Sequence, residues 1–504
     1  MIKVKKYLAL FLIVVCSVFF SGCPKIDLGV ETKMSPPILS AEQVELKAVL
    51  KKYVKQSKGA EEQEPELIYP RSGDYLMPYI EYLTDGKRSI FVLFSFKTKE
   101  IKPNEREKET VKIGIYKKTK DSWQIADCAD ISSTDGVRVE EISFHQMKND
   151  ANKNILVSYS VLGKTEEERT EKKIAIYEYD GTSIKKVEGG SFSYFDKIEA
   201  DIDDDGCIEI IYVDRPKKTY IPRIKIAKLM GSSFPKPYQM LLKPEIDPGN
   251  QDIKHSNMII DRFNDNTPVI FVNERVHDEK LKSQMMITEV IEYRNGSLIN
   301  KTYKENQKSG EKGFDRSLLT RRDERIGLRD VDDDGCLEIP MEIHSDNQPN
   351  EEKDLKLIEW NSFQGDEPEL RAKTLENLAT PYRLKLPEKW WSIAREEPKS
   401  EKGTEPKKNT ETKKNIGAKV LYKFAKNTLT ITEAETKNTE AKTKKELLAI
   451  KVLGVGKKLT ENTYEKFGET KDYVYFVRIS NEADAMGINM DELRELLKIG
   501  VMER

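Results

Sequence analysis

Residues 201–210 and 330–339 of this 504-residue chain repeat one acidic pattern, and few patterns constrain a backbone as tightly. The copies are Asp201-Ile202-Asp203-Asp204-Asp205-Gly206-Cys207-Ile208-Glu209-Ile210 and Asp330-Val331-Asp332-Asp333-Asp334-Gly335-Cys336-Leu337-Glu338-Ile339. Carboxylates at positions 1, 3 and 5 alternate toward one centre, glycine at 6 permits a sharp turn, the carbonyl at 7 can ligate, and Glu at 9 closes the shell. An all-oxygen donor set of this kind suits Ca2+, so each copy reads as a calcium loop feeding a buried strand. The bland alternative is a solvated acidic turn. An EF-hand shares positions 1 to 7 but needs a bidentate Glu at 12 and a helix on each side. Position 12 is Tyr212 in one copy and Met341 in the other, and the short apolar runs that follow favour strands.

At these residues the chain resembles the VCBS/FG-GAP repeat family, the β-propeller repeats also seen in integrin α chains. That resemblance implies calcium ligands at Asp201, Asp203, Asp205, Cys207 (through its carbonyl) and Glu209, and at Asp330, Asp332, Asp334, Cys336 (carbonyl) and Glu338. It also implies a mainly β fold. Three weaker copies occur at Glu81–Phe94, Gln146–Tyr159 and Ile260–Val272, each with fewer acids. The strand-opening residues Ile90, Ile155, Ile210, Val269 and Ile339 are therefore 65, 55, 59 and 70 residues apart, a spacing that suits four strands plus turns. Behind the loops, Asp180-Gly181 and Asn295-Gly296 sit between alternating runs and are strong hairpin signals. The expectation is a propeller of five or six blades over residues 75–379.

The N-terminus reads as a processing signal. Lys3, Lys5 and Lys6 precede an apolar run from Tyr7 to Phe20, too short for a comfortable membrane span of ~20 residues. It ends at Ser21-Gly22-Cys23, which resembles a bacterial lipobox. This resemblance implies a signal peptide over 1–22, diacylglycerol on Cys23, and a cell-membrane location facing outside the cytoplasm. Residues 23–74 then form a tether, with one helix predicted from Ser40. Ser40 and Gln43 make a capping box, and Val44, Leu46, Val49, Leu50, Tyr53 and Val54 form an apolar stripe. After Pro381 the repeat period is lost, and residues 380–504 are predicted to be a separate α+β domain. It would hold alternating strands, a charged insertion at Glu396–Lys414 and a final helix from Met490. Of Trp390 and Trp391, one is expected to be buried and one partly covered.

Composition narrows the functional classes. Charged residues make up 34% of the chain and the formal net charge is −2, so no basic field exists to attract nucleic acid. Five cysteines include Cys16 and Cys23 in the leader region, and the remaining Cys128, Cys207 and Cys336 do not make a disulfide framework. The four histidines lack metal-ligand spacing, and no nucleophile elbow, zinc helix or phosphate loop occurs. Two classes follow. One is a surface binding or scaffolding module for a protein or cell-wall ligand; the other is a hydrolase acting on envelope glycan through a carboxylate pair.

Overall fold

The computed structural model describes residues 40–56 and 64–500, apart from 73–74, 78, 85–86, 99–107, 120–121, 133–135, 148–152, 163–169, 215–221, 243–254, 279–282, 305–313, 316, 344–352, 366, 396–419, 426, 435–443 and 486–487. The expected leader, Cys23, the centres of the first two weaker loops and the insertion Glu396–Lys414 lie outside the described residues.

The chain is mainly β, and its strands form successive antiparallel meanders. The first comprises Tyr79–Thr84, Lys87–Thr98, Lys108–Lys118 and Trp123–Ser132. The second runs Val137–His145, Lys153–Val161, Glu171–Tyr179 and Ile184–Tyr194. The third is Asp196–Ala200, Glu209–Asp214, Arg223–Ala227 and Tyr238–Leu241, and the fourth His255–Arg262, Pro268–Asp278, Ser283–Arg294 and Ser297–Asn300. A fifth contains Ile339–Glu342, Leu355–Ser362, Glu369–Asn377 and Tyr382–Leu386. The strand before its loop has shrunk to a single bridge between Arg329 and Glu338.

Each meander is covered on both faces, which is why the strands read as unbroken apolar runs. Side chains alternate across a strand, so odd and even positions enter different cores. In the first sheet Phe91 and Leu93 pack on the second sheet, whereas Ile90, Val92 and Phe94 pack on a helix, Ala41–Gln56. In the third, Ile210 and Tyr212 face the second sheet, while Ile211 and Val213 face Ile270 and Val272 of the fourth. Val269 and Phe271 on the far side of the fourth sheet meet Ile339. The five strand-opening residues are all buried, with at most 1% exposure, so the sequence period tracks a structural one.

The stack has two covered ends. At one, the helix starts with the reciprocal Ser40–Gln43 box, each backbone N–H donating to the other side chain at 3.2 Å, and buries Leu46, Leu50 and Val54. Val44, although apolar, points outward. At the other end, Leu355, Leu357 and Leu375 of the fifth sheet share a core with Val420, Leu429, Leu447 and Val477 of a six-stranded C-terminal sheet. Among the described residues no apolar cluster joins the first meander to the fifth.

Here the structure departs from the expected boundary at residue 380. The repeat unit does end near Asn377, but Tyr382–Leu386 pairs with Glu369–Asn377 and extends the same sheet. Leu497–Ile499 then adds beside it, pairing Leu497 with Leu384 and Ile499 with Tyr382. The final helix stops at Leu496, shorter than predicted, because the chain turns extended there to complete that sheet. The described residues after 380 are therefore joined to the fifth meander by backbone hydrogen bonds and by one core. Trp390 is buried and Trp391 half-buried, as expected.

Candidate metal centres

Both acidic loops fold alike. Gly206 and Gly335 have φ of +82° and +88°, where an L side chain would be strained. Asp204 and Asp333 before them are also left-handed, at +59° and +61°. Position 1 organises the turn: Asp201 accepts from the Asp205 and Gly206 N–H groups at 3.1 and 2.9 Å, and Asp330 from those of Asp334 and Gly335 at 3.2 and 2.9 Å. Position 5 accepts from position 7, Cys207 N–H to Asp205 and Cys336 N–H to Asp334, at 2.9 Å in both loops. Position 9 reaches back across the loop: one Glu209 oxygen accepts from Ile202 N–H at 3.1 Å, and one Glu338 oxygen from Val331 N–H at 2.9 Å.

This geometry converges three carboxylates in each loop. Oxygens of Asp201, Asp203 and Glu209 lie within 4.8 Å of one another, and so do those of Asp330, Asp332 and Glu338. The two triads could hold a metal ion. Asp205 and Asp334 stand beside them with one oxygen committed to the backbone, and the Cys207 and Cys336 thiols are buried in the loop bases. Glu209 and Glu338 have no solvent exposure; the second oxygen of Glu338 accepts no hydrogen bond, and that of Glu209 lies 3.3 Å from the Lys228 ammonium. Burial pushes both carboxyls up to about 7. An oxygen buried without a donor costs free energy unless something positive meets it. The fit to a hard, oxygen-seeking divalent cation is good.

The loops do not stand alone. Ile208 N–H donates to the Gln146 carbonyl at 2.9 Å, tying the first loop to the weak loop of the second meander. The third weak loop lies between the two acidic ones. Arg262 donates to Asp204 at 2.7 Å on one side, while Asn264 donates to Asp334 at 3.1 Å and Asp261 accepts from Leu337 N–H at 3.0 Å on the other. The two acidic loops and the third weak loop thus lie side by side. Lys228 is a participant the sequence did not reveal. It follows the strand Arg223–Ala227 and sets its ammonium between Asp203 and Asp205. Its only sequence signal is its place opposite Glu209 in the hairpin, and that needs the register. Burial pulls this ammonium down, but the surrounding carboxylates outweigh burial and raise it.

Elsewhere His145 meets Glu199 at 2.5 Å, with Ser143 donating to the same carboxylate at 3.0 Å and Lys197 pairing with it. Because both hydroxyl and imidazole bind the carboxylate, this group is a polar staple between the second and third meanders. Among the described residues no helix is long and apolar enough to cross a membrane.

No protein-family model matches the chain, and no curated protein does. Among solved structures, the chain is similar to an exo-beta-1,3-galactanase from Clostridium thermocellum, 8% identical across 83% of this chain and 97% of that one. The TM-score is 0.17, too low to bear on fold or activity.

Proposed function

We propose that this chain is a lipid-anchored protein on the outer side of a cell membrane, whose stacked meanders act as the blades of a propeller-like module that binds or scaffolds a protein or cell-wall ligand. In this reading calcium is structural: it gathers the carboxylates of an acidic loop, removes their mutual repulsion and fixes the register of the hairpin behind them. The observation that carries the reading is the buried Glu338, one oxygen of which lacks a donor, in a carboxylate triad whose geometry the first loop repeats. The array supports a rigid display surface better than a mobile one, since each sheet is packed on both faces. The anchor rests on the Ser21-Gly22-Cys23 sequence alone.

Thermal melting tests the calcium element. The protein in millimolar calcium should melt several degrees above the protein in chelator, with magnesium giving a smaller shift; at free ion ten times Kd a site adds about 1.4 kcal/mol. Equal melting in calcium and chelator would remove it. Fatty-acid labelling of wild type but not of Cys23→Ala, with loss of the variant from the membrane fraction, is the expected result for the anchor.

A further inference from the structure

The two acidic loops share their internal hydrogen bonds but differ in what the next strand brings to the closing glutamate. Ile210 pairs with Ala227, which sets Lys228 opposite Glu209. Ile339 pairs with Asn361, which sets Ser362 opposite Glu338. The Lys228 ammonium is 2.5 Å from Asp203, 2.7 Å from Asp205 and 3.3 Å from Glu209, so it meets the carboxylates of positions 3, 5 and 9 together. In the second loop, among the described residues, no lysine or arginine forms an ion pair with Asp330, Asp332, Asp334 or Glu338. The fully buried Glu338 keeps one oxygen without a donor there, and so does Asp332. Asn264 offers Asp334 a single neutral hydrogen bond.

We infer that Lys228 is the resident counter-cation of the first loop, and that the second loop is the tight divalent-cation site. This rests on the reading of the loops as cation sites. A divalent ion entering the first loop must displace the ammonium from three carboxylates and leave it nearby, where it repels the ion; the lysine is tethered, so it returns at no cost in concentration. At the second loop the ion meets the same ligands with no ammonium seated among the carboxylates, the Lys385 ammonium binding only the Val331 carbonyl, and it compensates two buried orphan oxygens. The lysine also divides the labour between junctions. The first loop, and its contact to the second meander through Gln146, is held whatever the ion concentration. The second loop, which grips Asp261 and Asn264 of the fourth meander, becomes the junction that responds to the ion.

Calorimetric titration of the full chain with calcium tests this, using wild type, Lys228→Ser, Ser362→Lys and Asp332→Asn, each checked for native circular dichroism. Wild type should bind one ion tightly. Lys228→Ser should gain a second site, at least tenfold tighter than any first-loop binding in wild type, while Asp332→Asn should lose the wild-type site. Ser362→Lys should bind none; since Ser362 is buried, that variant counts only if it folds, and the comparison of wild type with Lys228→Ser decides without it. Two equal sites in wild type, or no gain in Lys228→Ser, would overturn the inference and leave the loops as cation sites. No calcium bound by either wild type or Lys228→Ser would instead overturn the cation reading itself.

Discussion

At the scale of single residues, stability in this chain depends on pH where a charge is both buried and paired. Glu199 is the clearest case. Burial alone would raise its carboxyl, but His145 and Lys197 outweigh burial and hold it down at about 2. The unfolded value of 4.5 is higher, so the folded carboxylate binds fewer protons; its contribution is complete above pH 4.5 and disappears as pH falls toward 2. At neutral pH the shift is worth up to about 3 kcal/mol. Glu199→Gln should therefore lower the denaturant midpoint near pH 7, and the gap to wild type should close between pH 4.5 and 2. A gap independent of pH would assign the loss to packing. The residues that make the acidic loops were legible in the sequence because a set of carboxylates converging within one turn is a local pattern. Lys228 was not, because its meaning depends on strand pairing that places it opposite Glu209.

Elements owe their stability here to double-sided burial. Ile210 opens the strand behind the first acidic loop and is fully buried, with its neighbour Ile211 facing the opposite core. Ile210→Ala should cost about 2–5 kcal/mol in equilibrium unfolding, whereas Val44→Ala on the outward face of the N-terminal helix should change stability by less than ~0.5 kcal/mol. Similar losses in the two variants would contradict the double-sided packing. Strands of this sort announce themselves: runs such as Ile90–Phe94 and Val269–Val272 are apolar at every position, and turn signals punctuate them. The Asn295-Gly296 turn adopts two positive φ values, 51° and 75°, as its sequence demands. The capping box at Ser40 was equally plain. Pairing between distant strands was not. Nothing near Tyr382 shows that it belongs to the preceding sheet, and nothing in Leu497–Ile499 distinguishes the end of a helix from an edge strand, so local periodicity put a boundary where the sheet is continuous.

For the whole molecule, the covered ends matter as much as the repeats. A chain ending at Thr380 would lack Tyr382–Leu386 and the C-terminal sheet, baring Leu355, Leu357 and Leu375. It should aggregate, or melt far below the full chain, and a soluble product with native stability would show the fifth meander to be self-sufficient. Removing the N-terminal helix should be milder, since it bares one face of a sheet whose other face stays packed. The return of Leu497–Ile499 to the edge of Tyr382–Leu386 has a consequence in time. A chain emerging from the ribosome, or threading through a translocon, can assemble its early meanders in order, each on the last. The fifth sheet must wait with one edge unpaired until Leu497–Ile499 is made, so a strand distant in sequence governs when that sheet is finished.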